Sequence, residues 1–323
     1  MMEMTLTEHV TEVCTDPLVP TLFHEPWWLE IATGGRYAVA EVLDKGMVVG
    51  RLPYYPKHKW GGVLIADLPP LTHFLGPAVI DCGGKPNKIF SYRQEVTKEL
   101  ILKLPRAASF YVKCHRGVSD VVAFQGVGFR AGVQFTQELL PRPLDEIWQN
   151  MRSKARQAIN GARALHEITT GSDPDLFMRF YATFIEKNKG EINFMDNDVH
   201  AKLIRACLER GRGKIYEARE HNGDLAAAIF CAWDEVASYY LLTSRIPAAH
   251  HGVTLLLVWE AINEAVKRGQ IFDFDGISSE GGARAANNFS PTLSPRFTAL
   301  RESPSMRILR SVKSLIAPQT YYY

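Results

Sequence analysis

VASYYLLTS (236–244), RIPAAHHG (245–252), VTLLLVWEAINEAVKRG (253–269) and QIFDFDG (270–276) follow one another without a break, and their reading decides the fold. In the third run Leu255, Val258, Trp259, Ile262 and Val266 recur at helical spacing, with Glu260, Asn263, Glu264 and Lys267 sharing the other side. The spacing predicts an amphipathic helix over 253–268. Gly269 supplies a residue able to take positive φ just after it, and the β-rich run IFDFD begins at once. VASYYLLTS, rich in aromatic and β-branched residues, reads as a strand. The unit is strand, polar loop, helix, strand, with the length a parallel crossover needs. Asp273 and Asp275 fall in a strand whose central place should bury both faces, and a buried carboxylate needs a partner.

At 323 residues, 46% hydrophobic and 22% charged, the chain has the composition of a soluble globular protein with about two domains or one large one. A net charge of +2 supplies no whole-molecule field toward nucleic acid, which leaves only local patches for that role. Cys14, Cys82, Cys114, Cys207 and Cys231 are odd in number, widely spaced and without a C-x-x-C pair, which argues against a disulfide framework or a zinc site. No H-E-x-x-H occurs, so no metal is expected, and no Rossmann, Walker or nucleophile-elbow glycine pattern is present. The first residues carry acidic charge where a secretory leader would be basic and then apolar. No run approaches the roughly 20 apolar residues of a membrane span. The expected address is the cytoplasm, with no membrane span.

Upstream, PWWLEIA reads as a short helix opened by Pro26, RYAVAEVL-DKG-MVVGRLPYY as a strand hairpin turning at Gly46, and WGGVLIADL as a further strand. LPPLTHFLGPAVI is a Pro-rich and Gly-rich loop carrying His73, residues 87–104 form a helix ended by Pro105, and SFYVKCH and FRAGVQFTQEL read as two strands. Residues 143–165 are predicted as one basic helix with Arg152, Arg156 and Arg163 on one face. HEITT is a strand, 174–187 a helix, EINFMD a connection, and 199–210 another helix. KIYEARE, LAAAIFCAW and VASYYLLTS make an antiparallel meander, and a polar loop with Arg284, the strand RFTAL and a terminal helix complete the chain. RYAVAEVLDKGMVVGRLPYYP and KIYEAREHNGDLAAAIFCAW share the order strand, Gly-containing turn, strand. They read either as two similarly built halves or as hairpins of common design.

The order WQNMRSKARQAI, HNGD, SYYLLTSR, LLLVWEAINEAVKRGQIFDFDG, NNFSPTLSPRF resembles the FemAB-type branch of the GNAT acyltransferase superfamily, with WW, LPYY and HFLGP in familiar places earlier. The resemblance implies an α/β fold of tandem GNAT-like domains, 1–140 and 141–323, each a mixed, mostly antiparallel sheet flanked by helices and splayed between two parallel strands. In the second domain these would be 236–243 and 271–275, with the donor cleft expected between them. Where the family has Phe-Gly this chain has Phe289-Ser290, so a glycine turn cannot be assumed there. The implied activity is N-acyl or N-aminoacyl transfer, with acyl-CoA or aminoacyl-tRNA as co-substrate rather than a tightly bound cofactor. The implied acceptor is an amine, with a cell-wall precursor of peptidoglycan biosynthesis among the options.

Beside the resemblance, the residues suggest a site. Two diverging parallel strands leave backbone N–H and C=O groups unpaired, suited to an extended amide-bearing arm. His251, Gly252, Val253 and Thr254 lead into a helix N-terminus, where amides and the dipole favour a phosphate, although an ordinary capped loop would look the same. Arg152, Lys154 and Arg156 could hold a diphosphate or a transfer RNA backbone, or form a solvated face, and Arg245 stands just past a strand end. Attack of an amine on an activated ester needs a base and an oxyanion site. Asp273 is the candidate base and Tyr240 the candidate donor to the leaving group. The structural alternatives are an Asp-Gly turn at Asp275, an ion pair at Asp273 and core packing for the tyrosines. A non-catalytic protein binding a nucleotide-linked or RNA ligand is the second functional reading. Oligomeric state is not encoded in any of these features.

Overall fold

The computed structural model describes residues 16–59, 61–189, 194–276 and 280–316. The first half runs through α1 (Pro26–Thr33), β1 (Ala38–Asp44), β2 (Met47–Lys59), β3 (Val63–Asp67), β4 (Ala78–Val79), α2 (Pro86–Leu102), β5 (Ser109–Lys113), α3 (Val122–Gly126) and β6 (Arg130–Leu139). Then come α4 (Leu144–Asn150), α5 (Ser153–Leu165), β7 (His166–Gly171), α6 (Pro174–Lys189), α7 (Phe194–Glu209), β8 (Gly213–Glu220), β9 (Leu225–Trp233) and β10 (Ala237–Arg245). The chain continues as α8 (Val253–Lys267), β11 (Ile271–Asp273), α9 (Glu280–Ala286), β12 (Thr292–Glu302) and α10 (Pro304–Ile316).

Among the described residues all strands join one 12-stranded sheet in the order β1-β2-β3-β5-β12-β6-β11-β10-β9-β8-β7, with β4 beside β2. Two neighbouring pairs of named strands are parallel, β3 with β5 and β10 with β11, and each is joined through a crossover helix, α2 or α8. Each crossover is preceded by an antiparallel meander, β1-β2-β3 in one half and β8-β9-β10 in the other. The echo between the hairpins at 36–56 and 214–233 is therefore a repeat of topology. The closing strands are exchanged between the halves. β6 pairs with β11, β12 pairs with β5, and the two run antiparallel to each other from Thr292↔Glu138 to Leu300↔Arg130.

Apolar side chains from alternate strand positions fill both faces, as expected of a central sheet. On one face α8 and α5 cover Phe272, Phe274 and Leu139, while α2 covers Phe110, Val112 and Ala299. On the other, α1, α6 and α7 pack over Tyr239, Phe230 and Ile215. The stripe on α8 is buried as its periodicity predicts, at Val258, Trp259 and Ile262, and Gly269 takes φ +70° just beyond it.

The structure corrects several local expectations. Residues 143–165 form two helices, because Met151 takes ψ 151° and turns its side chain into the core while Arg152 N–H donates to Asn288 O at 3.2 Å. The helix expected from 199 begins at Phe194, and part of the EINFMD connection lies outside the described residues. Residues 280–286, expected as loop, are the short helix α9. Ser290 adopts φ +53°, so the left-handed turn at Phe289-Ser290 is made without glycine.

Candidate active site at the junction of the halves

β10 and β11 pair at Ala237↔Ile271, Ser238↔Phe272 and Tyr239↔Asp273 and then part, while β10 continues to Arg245 with a bulge against β9 between Tyr240 and Leu242. The counterpart pair in the first half also parts, after Ala66↔Phe110, but the chain then returns to fill the gap. Leu75 N–H donates to Lys113 O at 2.8 Å, and Leu75 O accepts from His115 N–H at 2.8 Å. The first gap is closed by the protein's own backbone. Among the described residues no strand fills the second, and its peptide groups remain for an extended ligand.

A buried charge cluster lies at the foot of this opening. Asp273, 1% exposed, stands directly across the β11–β6 ladder from Glu138, an arrangement of like charges that is unfavourable alone. Guanidinium groups resolve it. Arg296 Nη2 donates to Glu138 Oε1 and, at 3.1 Å, to Asp273 Oδ2; Arg116 Nη2 lies 2.6 Å from Glu138 Oε1 and 3.8 Å from Asp273 Oδ2. Asp273 Oδ1 also accepts from Thr136 Oγ1 and from Asp275 N–H, the latter at 2.9 Å. Gly276 N–H donates to Thr136 Oγ1 at 2.8 Å. Asp273 is thus the anchor of the turn that follows it.

That turn aims Asp275. Asp275 and Gly276 both take left-handed conformations, φ +65° and +71°, and the Asp275 carboxylate meets His73 Nδ1 from the loop after β3. His73 belongs to the first half and Asp275 to the second, so both halves build the pair. Burial pushes the Asp275 carboxyl up, while His73 and Lys113 pull it down and Asp273 pushes it further up. Burial also lowers the Lys113 ammonium, opposed by Asp275 and Asp273.

The other candidates are scattered. Side-chain alternation puts Asp273 on Tyr239's face, and Tyr240 projects to the opposite face against the α8 core, where burial raises its hydroxyl and a bond with Thr243 lowers it. The structure therefore does not bring Asp273 and Tyr240 together. Tyr239 gives its hydroxyl to Asp234 Oδ2 at 2.7 Å. At the entrance to α8, His251 is exposed, Gly252 N–H donates to His250 Nδ1 at 3.1 Å, and Val253 N–H donates to His250 O at 3.0 Å. Thr254 sits in the first turn. A Cβ on Gly252 would lie 2.1 Å from Ala158 O, so close packing of α8 on α5 accounts for the glycine. Arg156 Nη1 donates to the Trp148 and Gln149 carbonyls at the end of α4, at 3.2 and 2.9 Å. Arg152, Lys154 and Arg245 are exposed, and Arg163 pairs with Glu260 at 3.0 Å.

Sequence reasoning missed His73 as a partner of Asp275, since 202 positions separate them and only the fold brings them together. A cavity of about 230 Å³ lies apart from the opening, in the first half between α2 and the 115–124 segment, lined by Arg93, Gln94, His115 and Asp120. Gln94 already bonds Asp120 there, at 2.8 Å. Among the described residues no group of three or more His, Cys, Asp or Glu side chains is placed to hold a metal ion, and no helix is long and apolar enough to cross a membrane.

A splayed parallel pair joined by a crossover helix, with ionisable side chains at its foot, is an arrangement for acyl transfer. Residues 149–281 match the acetyltransferase (GNAT) domain, and the second half of the chain carries a GNAT domain. Over nearly its whole length the fold is similar to that of FemX, at 13% identity and a TM-score of 0.63, covering 91% of this chain and 96% of FemX, in keeping with the FemAB-type resemblance. L-PGS from Bacillus licheniformis is similar at 11% identity and a TM-score of 0.53, covering 91% of this chain and 92% of its own. A domain named for lysylphosphatidylglycerol synthetase in Agrobacterium fabrum matches at 13% identity and a TM-score of 0.53, covering 92% of this chain and 93% of its own. No curated protein matches the chain by sequence. At such identities the likeness is one of fold.

Proposed function

We propose that this protein is an N-acyl or N-aminoacyl transferase whose donor carbonyl sits in the gap between β10 and β11 and whose acceptor amine is deprotonated by His73, held by Asp275. The observation that carries this reading is the open gap ending on a His–carboxylate pair built by both halves. With Nδ1–H given to Asp275, the imidazole presents its lone pair at Nε2. The amine nitrogen attacks the ester or thioester carbon, a C–N bond forms, and the proton passes from the amine to His73. The C–O or C–S bond breaks, and the leaving oxygen or sulfur takes that proton from His73, which returns the imidazole to its neutral form. Backbone N–H groups along 240–242 are the oxyanion donors in this scheme. Asp273 holds Asp275 in place and Tyr240 supports the core behind the gap.

An aminoacyl ester of tRNA is favoured over acyl-CoA as donor. What supports this is that the Gly252 and Val253 amides are already engaged by His250, whereas Arg152, Lys154 and Arg245 stand exposed for a phosphate backbone. The acceptor in this reading is an amine of a cell-wall precursor, as the resemblance implies.

The test presents full-length protein with radiolabelled aminoacyl-tRNA and, separately, with acyl-CoA, each with a panel of amines that includes UDP-linked peptide precursors. Transfer from aminoacyl-tRNA that drops by about 10²-fold in His73→Ala supports the assignment. Transfer from acyl-CoA alone would replace the donor. Tight tRNA or precursor binding without transfer from either donor would make the protein a binding module.

A further inference from the structure

Most surface helices turn their apolar stripe to the protein and their charges to water. α10 is arranged the other way round. Ser303 starts it, its Oγ accepting from Met306 N–H at 3.3 Å. Arg310 then leans on the body, its Nε 2.9 Å from the buried carboxylate of Glu302 at the end of β12. On the opposite side of the helix Ile308, Leu309 and Val312 are 66%, 38% and 46% exposed. In the sequence Leu315 and Ile316 continue the same spacing. None of the α10 side chains from Pro304 to Val312, the described ones, belongs to the three apolar cores.

The surroundings are basic. From 303 to 323 the sequence holds Arg307, Arg310 and Lys313 and no Asp or Glu. Arg307 is exposed, as is Arg106 close to Arg301, and Arg130 reaches Glu302 from β6 at 3.2 Å. A second copy of the chain seated symmetrically on the stripe would bring two such arginine sets face to face, which like-charge repulsion opposes. Anionic phospholipid headgroups would neutralise them and admit the apolar stripe into the acyl boundary.

We propose that α10 is a peripheral membrane-docking helix that lies in the interface of an anionic bilayer, with Ile308, Leu309 and Val312 inserted and Arg307 and its neighbouring arginines on the phosphates. The proposed site of acyl transfer is remote from it, since the six steps along β12 from Arg296 to Glu302 span about 20 Å. The inference stands independently of the transfer reaction.

Flotation of the full-length protein with vesicles tests it, using phosphatidylcholine alone and phosphatidylcholine mixed equally with phosphatidylglycerol. The protein is expected to float with the anionic vesicles and not with the neutral ones. The double variant Ile308→Ser, Val312→Ser should bind them at least about tenfold more weakly with an unchanged melting temperature, because these side chains are exposed. Arg307→Gln should weaken binding as well. Failure of the parent protein to float, or equal flotation of the double variant, overturns the proposal. A dimer in sedimentation equilibrium that the double variant dissolves would place a second copy on the stripe and overturn it too.

Discussion

Replacing Asp273 by Asn leaves Arg296, 3% exposed, facing one carboxylate instead of two. Breaking a buried pair in this way is expected to cost about 3–5 kcal/mol in denaturant melts, with reduced soluble yield. Asp275→Asn and His73→Gln touch a pair nearer the surface. They should leave the melting temperature within a few degrees while lowering turnover by about 10²-fold. An Asp273→Asn protein that melts normally yet has lost turnover would move the base to Asp273. Two buried histidines next to the cluster add a dependence on pH. Burial lowers His115 from 6.5 to about 4, helped by Arg296 and Arg116 and opposed by the Pro77 carbonyl, and burial and His115 hold His24 well below its usual value. The unfolded chain then binds protons that the folded one refuses. Stability present above pH 6.5 should fall as the pH drops toward 4, by up to about 3 kcal/mol from His115. Thermal melts across that window check it, and His115→Gln should flatten the curve.

At the scale of elements, α8 is held by its apolar face and by one close approach. Trp259 is buried against Trp148, ring centroids 5.0 Å apart, so Trp259→Ala is expected to destabilise the protein by about 3–5 kcal/mol. A loss under about 1 kcal/mol would mean that the helix can reseat without it. Gly252→Ala probes the contact with α5. With the Ala158 carbonyl in the way, the methyl group should cost about 1–3 kcal/mol or more and shift α8, lowering the melting temperature with or without ligand. A variant with an unchanged melting temperature but weaker donor binding would return Gly252 to the role of phosphate contact.

At the scale of the whole molecule, the exchange of β6 and β12 makes each half finish the other's sheet. Residues 1–140 expressed alone would lack β12 beside β5, and residues 141–323 alone would lack β6 beside β11. Each is expected to be insoluble or disordered by circular dichroism, and the two coexpressed should copurify, because uncovered strand edges aggregate. A monomeric, cooperatively melting 141–323 fragment would show that the exchange is dispensable.

The elements with their own short-range signals were legible in the sequence. The apolar spacing of 255–266, Gly269 and the β-rich IFDFD run determined the crossover unit, and the hairpin order disclosed the repeat, because periodicity and turn chemistry act over a few residues. The break at Met151 goes with burial of one side chain, and the left-handed turn at Ser290 with burial of Phe289 and the Ser290 Oγ bond to Asn150 O at 2.7 Å, neither of which leaves a local mark. The candidate site belongs wholly to tertiary structure. Leu75 closing one gap, Arg296 bridging Glu138 to Asp273, and His73 meeting Asp275 all join residues far apart in the chain. The sequence by itself determined that Asp273 would stand in a central strand; it placed Asp275 on the same strand face, whereas β11 ends at Asp273 and Asp275 turns left-handed, at φ +65°. Which of them became an anchor and which took an imidazole partner was decided by tertiary structure, since the exchanged strand β12 brings the Arg296 guanidinium to Asp273 and the loop after β3 brings His73 from the other half to Asp275.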